Sequence, residues 1–130
     1  MLRPLRSAAS ESEIDMAEAD RDLKELGAID AGDSQFGQSQ VLMGEIYLAQ
    51  GSELSALECF QSALRAKDST FEVLREARYQ LAQVFFRLGD YGQADGLVAE
   101  LEKVAPDYRG VRWLKNQIQS ALEKQTGRSA

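Results

Sequence analysis

The feature that most limits what this chain can fold into is a spaced pattern of small and aromatic residues that occurs twice, 38 residues apart. Met43-Gly44, Tyr47, Gly51, Ala56, Phe60 and Ala63 occur in order. Leu81-Ala82, Phe85, Gly89, Ala94, Val98 and Leu101 take the same offsets, and Pro106 follows five residues later. In each copy a glycine separates two stretches whose apolar residues recur at three- and four-residue spacing. That is the pattern of two amphipathic helices joined by a tight turn. A single helix pair cannot bury its apolar face, so such units are stable only when stacked. The expected fold class is therefore all-α: about six helices in antiparallel pairs.

The rest of the chain supplies the flanking helices. Residues from about Ser10 to Gly27 carry Ile14, Ala17, Leu23 and Leu26 on one face, Ser10 with Glu13 has capping-box spacing, and Gly27 is a stop. Ala28 to Gly37 reads as a loop. Helices are then expected over about Ser39–Gln50 and, with Ser52 as N-cap, to about Ala66. Ser69 with Glu72 again has capping-box spacing and opens a long helix with Phe71, Leu74, Leu81, Ala82, Phe85 and Leu88. Gly89 stops it, Asp90 caps the next, and Pro106 ends that one. Gly92 and Gly96 lie inside the latter helix, where close approach of a neighbour would offset a cost of about 1 kcal/mol each. The last helix is expected from about Tyr108 to Gln125, with Trp113, Leu114, Ile118, Ala121 and Leu122 as a narrow stripe. Residues 1–9 read as a disordered lead-in, 10–125 as the helical domain, and 126–130 as a tail.

Composition excludes several function classes. The net charge of −6 argues against a duplex-binding surface. The charge is uneven: residues 1–33 hold nine acids and four bases, whereas 109–130 hold one acid and five bases. Opposite ends of opposite sign suit head-to-tail self-association, or are simply solvated surface. Cys59 is the only cysteine, so no intramolecular disulfide can form, and beside Phe60 it reads as a small buried hydrophobe. No apolar run reaches the roughly 18 residues of a membrane span. A basic, Ser/Ala-rich start has the flavour of a transit peptide but turns acidic at Glu11, and a cytoplasmic location is the expectation.

At the level of the repeat, the chain resembles the tetratricopeptide repeat, whose unit carries a Leu-Gly pair, Tyr, a turn Gly, Ala, Phe, Ala and a closing Pro. Gly44, Tyr47, Gly51, Ala56, Phe60 and Ala63 match over about 37–70, and Gly89, Asp90, Tyr91, Ala94 and Pro106 match over about 75–108. The first copy has Asp68 where the proline belongs, and both lack the early tryptophan, having Gln40 and Arg78 instead. Residues 14–26 resemble the second helix of an earlier unit whose first helix is absent. The resemblance implies a short right-handed solenoid with a capping helix over about 108–125. Small residues at Gly44, Ala56, Ala82 and Ala94 would let the helices of a pair approach, and Tyr47, Phe60 and Phe85 would fill the space between pairs. The 38-residue period is four longer than the usual 34. The extra residues, about 71–74, predict a helix one turn longer than its neighbours.

The resemblance also implies a binding face. The first helix of each pair would line a concave groove, with Gln38, Val41, Leu42, Glu45 and Leu48 in one repeat. Glu76, Tyr79, Gln80, Gln83, Phe86 and Arg87 follow in the next, then Trp113 and Gln117 in the last helix. Such an apolar, aromatic lining suits a helix or an extended apolar peptide of another protein. The alternatives are that the N-terminal helix fills the groove or that these residues are ordinary core. Val41, Glu45 and Gln80 stand where family members that clamp a carboxylate carry cations and Asn, so a carboxylate clamp is not expected.

Nothing in the chain points to catalysis, a metal or a cofactor. There is no histidine, the commonest general base and metal ligand. Gly89-Asp90-Tyr91-Gly92 is a helix-pair turn and not a phosphate loop. Glu100 with Glu102 and Asp20 with Asp22 are spaced two apart, which puts each pair on different sides of a helix. Glu11, Glu13, Asp15 and Glu18 lack the glycine-centred loop of a calcium site. The expected function is a non-enzymatic adaptor or scaffold in complex assembly. The second reading is an oligomerisation module stacking end to end through the incomplete first repeat.

Overall fold

The computed structural model describes residues 7–67 and 69–127, with side chains from Met16 onward. Six helices follow one another: α1 (Ser7–Gly27), α2 (Phe36–Ala49), α3 (Glu53–Arg65), α4 (Phe71–Leu88), α5 (Tyr91–Val104) and α6 (Val111–Gln125). No strand occurs among the described residues. Each helix packs on the next in chain order, and α4 also touches both α2 and α6. The helices thus pack in neighbouring pairs, with α4 central. No described helix is long and apolar enough to cross a membrane.

The turns are where local chemistry places them. Gly51 and Gly89 have φ of +81° and +86°, the left-handed conformation that ends a helix and that glycine adopts without steric cost. Asp90 caps α5, its carboxylate accepting from the Gln93 amide at 3.4 Å. The cap of α4 falls one residue later than its sequence spacing suggests. Thr70 Oγ1 accepts from the Val73 amide at 3.2 Å, worth about 1 kcal/mol. Ser69 is turned away, its hydroxyl donating to the Ala63 carbonyl in the last turn of α3 at 2.8 Å. Ser52 occupies the N-cap position of α3 but makes no side-chain cap bond. Helix α2 begins at Phe36, ahead of Ser39, whose hydroxyl donates to the Phe36 carbonyl at 2.7 Å. Helix α6 begins at Val111, because Tyr108 is drawn to α4. The Ser10–Glu13 pair lies outside the described side chains.

The core is one cluster running through α2 to α6. Phe60, Val84, Val98, Leu101, Val111, Leu114 and Ile118 are fully buried. Each such side chain contributes about 1.5–3 kcal/mol of burial free energy. Helix α2 is apolar nearly all round, as suits a helix covered by α1, α3 and α4 at once. Helix α6 buries only Val111, Leu114 and Ile118, the narrow stripe of a helix covered on one side. Trp113 is not on that stripe and stands 60% exposed. Cys59 is buried, and desolvation followed by the Glu58 charge raises its thiol pKa to about 11, so it stays a neutral packing group.

Two expectations about spacing turn out differently from each other. Helix α4 has 18 residues against 14 in both α2 and α5, so the longer period does become one extra turn. In contrast, Gly92 and Gly96 meet nothing within 4 Å of where a Cβ would lie. No helix approaches there, and the two glycines are an uncompensated weakness of α5. The close approaches are on α2 instead: Gly37 against Ser69, and Gly44 against the ring of Phe60 within the α2–α3 pair. Phe60 therefore packs inside its own pair.

Candidate functional site

The α2, α4 and α6 helices bring the expected groove residues to neighbouring surfaces, but not to one level of exposure. Val41, Tyr79 and Gln80 are buried and belong to the packing of α4 on its neighbours. Leu42 and Trp113 are the outward apolar groups, 40% and 60% exposed. Gln38 is exposed, and Glu45, Leu48, Gln83, Phe86 and Gln117 are half-buried. Arg87 is exposed but turned to the start of α3, where it pairs with Glu53 at 3.5 Å. Phe86 packs on Tyr91, ring centroids 5.5 Å apart, and opens with Gln117 onto the cleft between α4 and α6.

The most organised part of this face is a polar hub around Glu76. Its carboxylate accepts from Gln80 Nε2 at 2.8 Å, from Arg109 at 2.6 Å and from the Tyr108 hydroxyl. Gln80 Nε2 also reaches Glu45 on α2 at 3.5 Å. One amide thereby bridges two carboxyl groups on adjacent helices. The aromatic part is equally built: Tyr79 and Tyr108 meet edge to face at 5.7 Å, and Arg75 stacks over Tyr108 at 4.3 Å. The Tyr79 hydroxyl accepts from the Gly110 amide at 3.3 Å. The hub ties α2, α4 and the α5–α6 connection together.

Arg109 holds a backbone φ of +44°, the one positive φ outside glycine among the described residues. For an arginine this costs on the order of 1 kcal/mol. The ion pair with Glu76 and the stack over Tyr79, 4.8 Å from the ring centroid, hold it there.

The two carboxyls are driven in opposite directions. Burial raises the pKa of Glu45, as do hydrogen bonding to Glu76 and the charge of that group. Burial also acts upward on Glu76, but hydrogen bonds from Tyr108, Gln80 and Arg109 and the Arg109 charge outweigh it, and the pKa of Glu76 is lowered. Tyr108 is raised, first by burial and then by its bond to Glu76. Glu76 is thus the permanent anion of the pair, and Glu45 is the group that takes up a proton first.

A carboxyl with a raised folded pKa contributes stability that is present below its unfolded value and lost as pH rises through the folded value. Ionised Glu45 is therefore unfavourable at neutral pH. Glu45→Gln, which can donate to Glu76, is expected to stabilise the fold by about 0.5–1 kcal/mol at pH 7. The gain shrinks as the pH falls through the raised folded value of Glu45 and is gone below the ordinary carboxyl range, where the group is protonated in both states. Urea unfolding of both proteins at pH 7 and pH 4 measures this, and an equal difference at both pH values contradicts it.

Tyr108, Arg109 and Arg75 are site residues that the sequence does not announce. Their partners across the fold lie 29 to 33 residues away, with no periodicity connecting them. A Tyr-Arg-Gly run just after a helix-ending proline is the only local mark. No protein-family model matches the chain, and no curated protein matches it.

Proposed function

We propose that this chain is a non-enzymatic protein-interaction module that holds a segment of another protein against the face formed by α2, α4 and α6. The observation that carries the reading is the presence of exposed apolar groups, Leu42 on α2 and Trp113 on α6, together with a hydrogen-bonded polar hub on α4. Exposed aromatic and aliphatic groups beside fixed hydrogen-bonding groups are what a peptide-binding surface uses. The twofold helix-pair pattern and its resemblance to the tetratricopeptide repeat support the same reading. In it the pairs form a short right-handed solenoid and the face is its concave side. Fold analogy alone would not carry the function.

The test is affinity capture from native lysate with wild type and with a Trp113→Glu variant, which leaves the α1–α2 surface untouched. The change is at an exposed position, so helicity and thermal midpoint should be unchanged. A protein held by wild type and lost by the variant supports the groove. Equal retention by both removes this face as the binding surface.

A further inference from the structure

The packing register leaves one place open. Helix α4 lies against both members of the preceding pair, α2 and α3. Helix α6 lies against α4 and α5 in the same way. At the other end, the equivalent seat is the furrow between α1 and α2. Among the described residues α1 packs against α2 alone, and no helix fills the furrow. Its floor is apolar: Met16 and Leu26 from α1, and Leu42, Ile46 and Ala49 from α2. Met16 is 60% exposed, although it heads this apolar line.

The rim has one sign. Among the described side chains, every ionisable group lining the furrow is a carboxylate: Glu18, Asp22, Glu25 and Glu45. The basic residues of α1, Arg21 and Lys24, do not line it. The stretch from Met16 to Leu26 spans about 15 Å of helix, nearly three turns. A helix laid there would bury apolar residues at i, i+4 and i+7 and bring its flanking residues against the carboxylates.

We propose that the furrow between α1 and α2 seats an amphipathic helix of another protein, apolar on one face and flanked by lysine or arginine. The proposal rests on the interaction-module reading but uses a different surface, sharing only Leu42 and Glu45 with the groove. A second copy is the poorer occupant. Two furrows brought together oppose carboxylate rims of like charge. The exposed surface of α6 offers one large apolar group, Trp113, among Arg112, Asn116 and Gln119, too little to fill an apolar floor nearly three turns long.

The probe is a fluorescein-labelled 15-residue helix of leucine, alanine and lysine, followed by anisotropy at about 0.15 M salt. Its partner probe carries glutamate for lysine. The full chain is compared with Asp22→Lys/Glu25→Lys in the furrow and with Glu58→Lys/Glu123→Lys, an equal charge change on α3 and α6. All four positions are exposed, and circular dichroism confirms folding. The lysine probe should bind wild type and the α3/α6 variant with Kd values within about threefold. The furrow variant should bind about tenfold or more weakly, and the glutamate probe weakest of all. Amide shifts on adding the lysine probe should map to α1 and α2. Equal weakening by both variants would reduce the effect to net charge and overturn the proposal. So would shifts confined to α4 and α6, which would favour the groove reading instead. A wild-type dimer in sedimentation that the furrow variant abolishes would put a second copy in the seat and overturn the heterologous partner. If Trp113→Glu retains every partner of wild type while the furrow variant still discriminates, the groove reading falls and this one stands.

Discussion

Gly44→Ala is expected to lower the unfolding free energy by about 2 kcal/mol, although alanine is the better helix former. A Cβ at this position would lie 2.5, 2.7 and 2.9 Å from three carbons of the Phe60 ring. That ring is fully buried, so it has no solvent side to retreat to. Its neighbours are packed at crystal-like density, and displacement of the ring moves α3 relative to α2. Helix propensity gains about 1 kcal/mol and overpacking loses more, up to about 3 kcal/mol. The thermal midpoint should fall by roughly 8 °C. Phe60→Leu made in the Gly44→Ala background tests the cause. The smaller side chain should recover part of the loss, with a coupling energy of about 1 kcal/mol or more in a double-mutant cycle. Gly96, where a Cβ meets open space, is the internal control and should gain stability as alanine. If Gly44→Ala stabilises like the control, the close α2–α3 approach is not what holds this pair.

Removing the centre of the polar hub should have a similar effect by a different route. Glu76→Ala is expected to cost about 2–3 kcal/mol at pH 7. The loss is larger than that of a surface ion pair because three donors, Gln80 on α4 and Tyr108 and Arg109 in the α5–α6 connection, lose their acceptor together. Arg109 would also be left in its left-handed conformation without the ion pair that holds it. The sign of the pH dependence follows from the lowered pKa of Glu76. Its contribution is present above the unfolded carboxyl value and is lost as pH falls through the lower, folded value. Glu45 acts with the opposite sign, above the ordinary carboxyl range where Glu76 acts below it, and wild type shows both. Glu76→Gln should therefore flatten the acid destabilisation, and Glu45→Gln should steepen it. Chemical unfolding between pH 3 and pH 7 separates them, and parallel curves for all three proteins would show that the hub does not titrate as a unit.

The hub also bears on how a partner would be held. It links α2 to α4 through Gln80, and α4 to the α5–α6 connection through Tyr108 and Arg109. A face fixed in this way loses little conformational entropy on binding, which is the advantage of a preorganised surface. The exposed apolar groups, Leu42 and Trp113, are free of that network.

The helices themselves were legible in the residue order, because helix formation is decided locally. Three- and four-residue apolar spacing marks α2 to α6, and Gly51 and Gly89 mark turns that need a left-handed residue. Burial of Ala56, Phe60, Ala63, Ala82, Ala94, Val98 and Leu101 follows from the same pattern, since a repeated offset puts each on the inner side of its helix. Even the extra turn of α4 could be read from a period four residues too long. What could not be read was any choice between chemically equivalent neighbours. Ser69 and Thr70 are both good caps, and Ser69 is taken by the Ala63 carbonyl only once α3 has come alongside. Periodicity places Trp113 next to Leu114 with no way to tell which of them faces the core. The Glu76 hub and the empty furrow beside α1 depend on which surfaces meet across 30 or more residues of chain, or fail to meet at all. Those are properties of packed helices in three dimensions. Local residue order makes this chain a set of helix pairs, and only the packing of those pairs settles which faces are covered and which stay open.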